Sequence, residues 1–88
     1  MSRYTIGMFV TSKAGHDENQ LYVIIGEDAE YVYLADGKYK TLEKPKKKNK
    51  KHIQIIREIS EELKEKLQSG KVENEDIKRA IKLYKKQV

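Results

Sequence analysis

The sequence predicts a mainly β domain followed by two C-terminal helices, on two observations. Short β-branched and aromatic runs recur through the first half between turn signals, and from about Ile56 the apolar period changes from that of a strand to that of a helix. Ile6, Met8 and Val10 alternate like a strand with one buried face, although Phe9 breaks the polarity of the other face. Leu21-Tyr22-Val23-Ile24-Ile25 is apolar throughout and is closed by Gly26, Glu27 and Asp28, which predicts a central strand. Tyr31-Val32-Tyr33-Leu34-Ala35 runs into Asp36-Gly37 and continues as Lys38-Tyr39-Lys40-Thr41-Leu42. Asp-Gly is favoured in tight two-residue turns, so a hairpin is expected there. Ile53 and Ile55 flank Gln54 as a fifth short strand, and this spacing suits a small barrel.

Beyond that point Ile56, Ile59, Leu63 and Leu67 line one helical face, with Glu61, Glu62, Lys64 and Glu65 on the other and Gly70 as the expected cap. A second helix is expected from about Asn74. Glu75 and Asp76 suit its positive end, Ile77, Ala80, Ile81 and Tyr84 form its apolar stripe, and Lys82, Lys85 and Lys86 lie near its other end. Neither is long enough to be stable alone, so both stripes are expected to pack on the β part or on each other. The expected organisation is a β domain over residues 1–56 and a helical extension over 57–88 packed on it.

At 88 residues the chain can bury one modest core, and with no cysteine it relies on packing rather than disulfides or thiolate-bound metal. The amino terminus MSRYTIGMFV lacks the layout of a signal peptide, and no run approaches the roughly 20 apolar residues of a membrane span. A soluble, monomeric, cytoplasmic protein is expected. The formal net charge of +5 is unevenly distributed: residues 1–43 carry four basic and seven acidic side chains, 53–88 nine and seven, but 44–52 six and none. The excess therefore sits in Lys44-Pro45-Lys46-Lys47-Lys48-Asn49-Lys50-Lys51-His52, and such a cluster points to a polyanionic partner. The plainer reading of that stretch is a flexible, solvated loop.

The segment from Val10 to Val23 places the polar, glycine-bearing loop "SKAG…" between two strands, and at this point the chain resembles the KOW motif. With "YLADGKYKTLEKPKKKNKKH" after it and two terminal helices, the whole chain is similar to small bacterial relatives of the 14e/6e/27e group of large-subunit ribosomal proteins. The resemblance implies an SH3-like (KOW) β-barrel that binds RNA, with ribosomal RNA or the large ribosomal subunit as the expected partner. Lys13 and Gly15 match the family pattern, and a glycine lets backbone amides approach a phosphate closely. His16, Glu18 and Gln20 stand where relatives carry basic residues, and Asn19 where they carry a second glycine, so the lysine run is expected to contribute most of the affinity.

The expected RNA-binding residues are Lys13, Gly15, Lys38, Tyr39, Lys40, Lys44, Lys46, Lys47, Lys48, Lys50, Lys51 and His52. Tyr39, between two lysines, suits stacking on a base. Tyr31 and Tyr33 share a strand face that suits packing against the helices better than base stacking. His52 reads equally as a phosphate ligand or as a strand anchor. His16, Asp17 and Glu18 form no nucleophile and base arrangement and no converging metal set, so neither enzyme nor cofactor is expected, nor a small-molecule substrate. The alternative function is a protein interaction module of the same fold, in which the lysines serve solubility or steering.

Overall fold

The computed structural model describes residues 4–13 and 20–87. Five strands, β1 (Met8–Ser12), β2 (Leu21–Glu27), β3 (Tyr31–Ala35), β4 (Lys46–Asn49) and β5 (Ile53–Glu58), form one antiparallel sheet in the order β4-β3-β2-β1-β5. Two helices follow, α1 (Glu61–Ser69) and α2 (Asn74–Gln87). No helix among the described residues is long and apolar enough to cross a membrane.

The first part of β2 is an apolar run because it is buried on both faces, with Leu21, Tyr22, Val23 and Ile24 all buried. On one side Leu21 and Val23 join Phe9 and Ala35, which the helices cover with Leu63, Ile77 and Ile81. This accounts for Phe9: both faces of β1 are buried, and its ring stacks on Tyr84 of α2 with centroids 4.9 Å apart. On the other side Val10, Tyr22, Ile24, Val32, Leu34 and Ile53 form a second cluster drawn entirely from strands. For such a cluster to lose its solvent contact without a helix over it, the sheet must curl across itself. Two register shifts assist the bend, between Ile24 and Gly26 on β2 and opposite Phe9/Val10 on β5, where Ile56 is the extra residue.

The curl stops short of the closed barrel expected from the sequence. No β4–β5 ladder completes the ring among the described residues, and the sheet stays open. β4, four residues of which three are lysine, is an edge strand, and lysine on an edge disfavours further pairing. Nor is Ile6 in the first strand: it precedes β1 and is exposed.

Two further expectations are corrected. Lys38–Leu42 is not a strand, and β3 pairs instead with the lysine run, Leu34 opposite Lys46 and Val32 opposite Lys48. The Asp36 carboxylate explains the diversion, because its Oδ1 accepts the amide N–H of Lys38, Tyr39 and Lys40 at 2.9 Å each and winds the chain into a compact loop. Gly37, at φ +81°, lies against the backbone and Lys78 side chain of α2, where a Cβ would collide. Its value is therefore close approach to a helix. The second correction concerns Ile56, which belongs to β5. That strand runs to Glu58 opposite Met8, and α1 starts only after Ser60, whose hydroxyl accepts the Leu63 N–H.

Gly70 does cap α1, in the left-handed conformation. The helices are tied by Lys66, whose Nζ donates to Asp76 Oδ1 at 3.0 Å, while Asp76 Oδ2 accepts the Glu73 N–H at the start of α2. That backbone hydrogen bond, with Lys66 second, holds the Asp76 carboxyl below its ordinary pKa. Asp28 does the same between β2 and β3. Its carboxylate accepts the N–H of Tyr31, the Tyr33 hydroxyl and the N–H of Glu30, and its pKa too is lowered, chiefly by the Tyr31 bond.

Gly37→Ala should therefore destabilise the fold by about 2–3 kcal/mol through strain and collision, against about 1 kcal/mol for Gly70→Ala, whose Cβ would meet no atom within 4 Å. Urea midpoints of the two variants check the order. Both aspartates have lowered folded pKa values, so the stability they contribute is complete at neutral pH and is lost as pH falls below about 4, the unfolded value, through the folded ones. Thermal unfolding followed from neutral to acid pH should show a shallower acid decline in Asp28→Asn and Asp76→Asn than in the parent chain.

Candidate nucleic-acid interface

The pleat of β4 divides the lysine run between two surfaces. Lys46 and Lys48 lie on the same side as Leu34 and Val32, at the rim of the strand-only core. Lys46 is half-buried there, and burial first and the Lys48 charge second lower its pKa. Lys47 is on the opposite side, its ammonium 4.3 Å from the centre of the Tyr31 ring. Asp28 is close enough for the Lys47 charge to contribute to its lowered pKa. Tyr31 is thus partnered by a lysine and Tyr33 by Asp28, and neither joins the helix-packed cluster that their strand position suggested.

After β4 the chain makes a 3-10 turn at Lys50–His52, capped by Asn49, whose side-chain oxygen accepts the Lys51 N–H at 3.0 Å. Lys50 folds back onto the sheet. It forms an ion pair of 2.9 Å with Glu27, and its ammonium donates to the Ala29 carbonyl at 3.3 Å. With little of its side chain exposed, Lys50 holds the β2–β3 end against β4, so its charge serves the fold. Lys51 and His52 are exposed.

One hydrogen bond joins the two stretches singled out in the sequence. The Lys13 N–H donates to the His52 carbonyl at 2.8 Å, so exposed Lys13, just after β1, lies beside exposed Lys51 and His52 at one end of the sheet. Gly15, with His16, Asp17 and Glu18, lies outside the described residues. Among those described, no group of three or more His, Cys, Asp or Glu could hold a metal ion.

Lys38, Tyr39 and Lys40 belong to a different surface. They ride on the Asp36 loop, where Tyr39 is 76% exposed with the Lys38 ammonium 5.0 Å from its ring centre, and Lys40 is half-buried. Lys44 is exposed in the link that follows, its N–H held by Thr41. The loop is fastened to α2 through Asn74, whose side chain accepts the Leu42 N–H at 2.8 Å and donates to Glu43 at 3.0 Å. Between loop and helix runs an open groove whose helix wall includes Lys78, Lys82, Lys85 and Lys86. The sequence reading placed Lys82, Lys85 and Lys86 near a helix end, with no function. Their spacing is itself the missed signal, since positions four and seven apart share a face. Compared with known proteins, the chain matches no protein-family model and no curated sequence.

Proposed function

We propose that the protein is a non-enzymatic RNA-binding protein of SH3-like, KOW-type architecture. Its basic end, built from Lys13, Lys48, Lys51 and His52, contacts phosphates. The observation that carries this reading is the hydrogen bond from Lys13 to His52. It brings Lys13, just after β1, beside the end of the lysine run, two basic segments distant in sequence, at one end of the sheet. A solvated tail would not hold cations in a fixed arrangement, whereas a strand followed by a capped turn does, and fixed cations lose less entropy on binding a structured polyanion. The five-stranded antiparallel meander, with β5 returning beside β1, supports the SH3-like assignment. Ribosomal RNA is the proposed target on the resemblance of the whole chain to ribosomal relatives, and the protein acts as a monomer in the cytoplasm.

Binding of a structured ribosomal RNA fragment over a range of salt tests the site. Log affinity falls linearly with log salt, with a slope of roughly 0.9 per phosphate contact on a duplex. Replacing Lys13, Lys48 and Lys51 together by Gln should lower that slope by about 2–3 and weaken binding at low salt by at least tenfold. An unchanged slope would remove these residues from the interface. Lys50→Gln should behave differently, lowering the urea midpoint because Glu27 loses its counter-ion.

A further inference from the structure

The groove between the Asp36–Lys40 loop and α2 is separate from the basic end formed by Lys13, Lys51 and His52. It encloses about 470 Å³, and its lining includes Leu21 and Ile81, both nearly buried, along with Lys38, Tyr39, Lys82 and Lys85. Its charge is one-sided. Asp36 is the one acidic residue among the described lining residues, and its carboxylate is already engaged by three amide N–H groups of its own loop. Lys78 is paired with Glu75 at 3.2 Å. Lys38, Lys82, Lys85 and Lys86 have no such ion pair among the described residues.

The aromatic component distinguishes this groove from a simple basic patch. Tyr39 is the most exposed of the large apolar or aromatic side chains on the described surface. Leaving a ring in water wastes its stacking capacity, and the wall that carries it is not loose. Asp36 fixes the loop internally, Gly37 seats it against the first turn of α2, and Asn74 bonds to Leu42 and Glu43. A ring on an anchored loop, lining a groove shared with the lysines of α2, suits a ligand that alternates flat faces with anions. Unpaired nucleotides have that chemistry, because a duplex hides its base faces and an acidic peptide has none.

Building on the RNA-binding reading, we propose that this groove takes a single-stranded RNA segment, with one base stacked on Tyr39 and neighbouring phosphates on Lys38, Lys82, Lys85 and Lys86. The protein would then hold structured RNA at its basic end and an adjoining unpaired stretch along α2.

Fluorescence anisotropy with a labelled oligouridylate and with a blunt RNA duplex of the same length tests the two surfaces separately. Tyr39→Ala should weaken oligouridylate binding by roughly 5- to 100-fold, the range for loss of one stacked base, and leave duplex binding unchanged; Tyr39→Phe should bind like the parent. Replacing Lys82, Lys85 and Lys86 by Gln should lower the oligouridylate salt slope by about 2. All four positions are exposed or half-exposed, so the variants fold. If oligouridylate binding survives both sets of changes while the parent still binds duplex, the groove assignment falls and the RNA-binding reading stands. If the parent binds neither RNA, both fall. A polyglutamate peptide that binds more tightly than the oligouridylate, and is weakened by the lysine changes but not by Tyr39→Ala, overturns the proposal in favour of an acidic protein partner.

Discussion

Burial of β2 on both faces is the constraint from which the rest of the molecule follows. A short chain has little apolar surface to spare, and a flat sheet covered by two small helices would leave one face wet. The chain covers that face with the sheet itself. Val10, Tyr22, Ile24, Val32, Leu34 and Ile53 come from four strands and meet only if the sheet bends, and the extra residues near Ile25 and at Ile56 supply the bend. The helices are then free to cover the other face through Phe9, Leu21 and Val23. Each side chain wholly removed from water contributes about 1.5–3 kcal/mol, and the two clusters draw on opposite faces of the same three strands, β1, β2 and β3, so they are mutually dependent.

The same constraint shapes the two basic surfaces. Because α2 lies over the outer face, the chain leaving β3 cannot continue there as a strand and is wound up by Asp36 beside the helix. That displaced loop carries Lys38 and Tyr39 to the wall of a groove. It also lets the next extended segment, the lysine run, become the partner of β3. The loop and the edge strand are thus two outcomes of one packing decision, and Gly37 is where it is enforced, against the backbone of Asn74.

How much of this was legible in the sequence depends on which residues carried the signal. The strands of β2 and β3, the alternation of Ile53 and Ile55, the Gly70 cap and the stripe of α2 were all readable, because burial on a face writes a period into the chain. β4 was not readable in that way. Lys46–Asn49 has no apolar member, and its strand conformation comes from the free edge of β3, a tertiary cause that intrinsic propensity does not report. Asp36-Gly37 pointed to a real turn of the wrong kind, since both residues suit several turns and the choice was made by a helix nearly forty residues on. Ser60 with Glu61 and Glu62 is a start signal for α1 that a reading from the apolar spacing of Ile56 and Ile59 passes over. Among the site residues, the basic character of 44–52 was plain, whereas its division between two faces required the register with β3.

That division changes what the net charge means. A count of lysines treats each as an equal contributor to polyanion binding, yet here they do three different things. Lys50 neutralises Glu27, and Lys66 and Lys78 neutralise Asp76 and Glu75, so their charges are largely spent within the fold. Lys46 is half-buried beside Lys48, and burial first and that charge second lower its pKa. Lys47 lies on an aromatic ring with Asp28 nearby, which tempers its field. The lysines proposed to act outward are Lys13, Lys48 and Lys51 on one side and Lys38, Lys82, Lys85 and Lys86 on the other. Two modest basic surfaces on one small rigid body favour a ligand long enough to engage both, because the second contact is made at the high local concentration set by the first. A folded RNA with an unpaired extension meets that requirement, and a small anion does not.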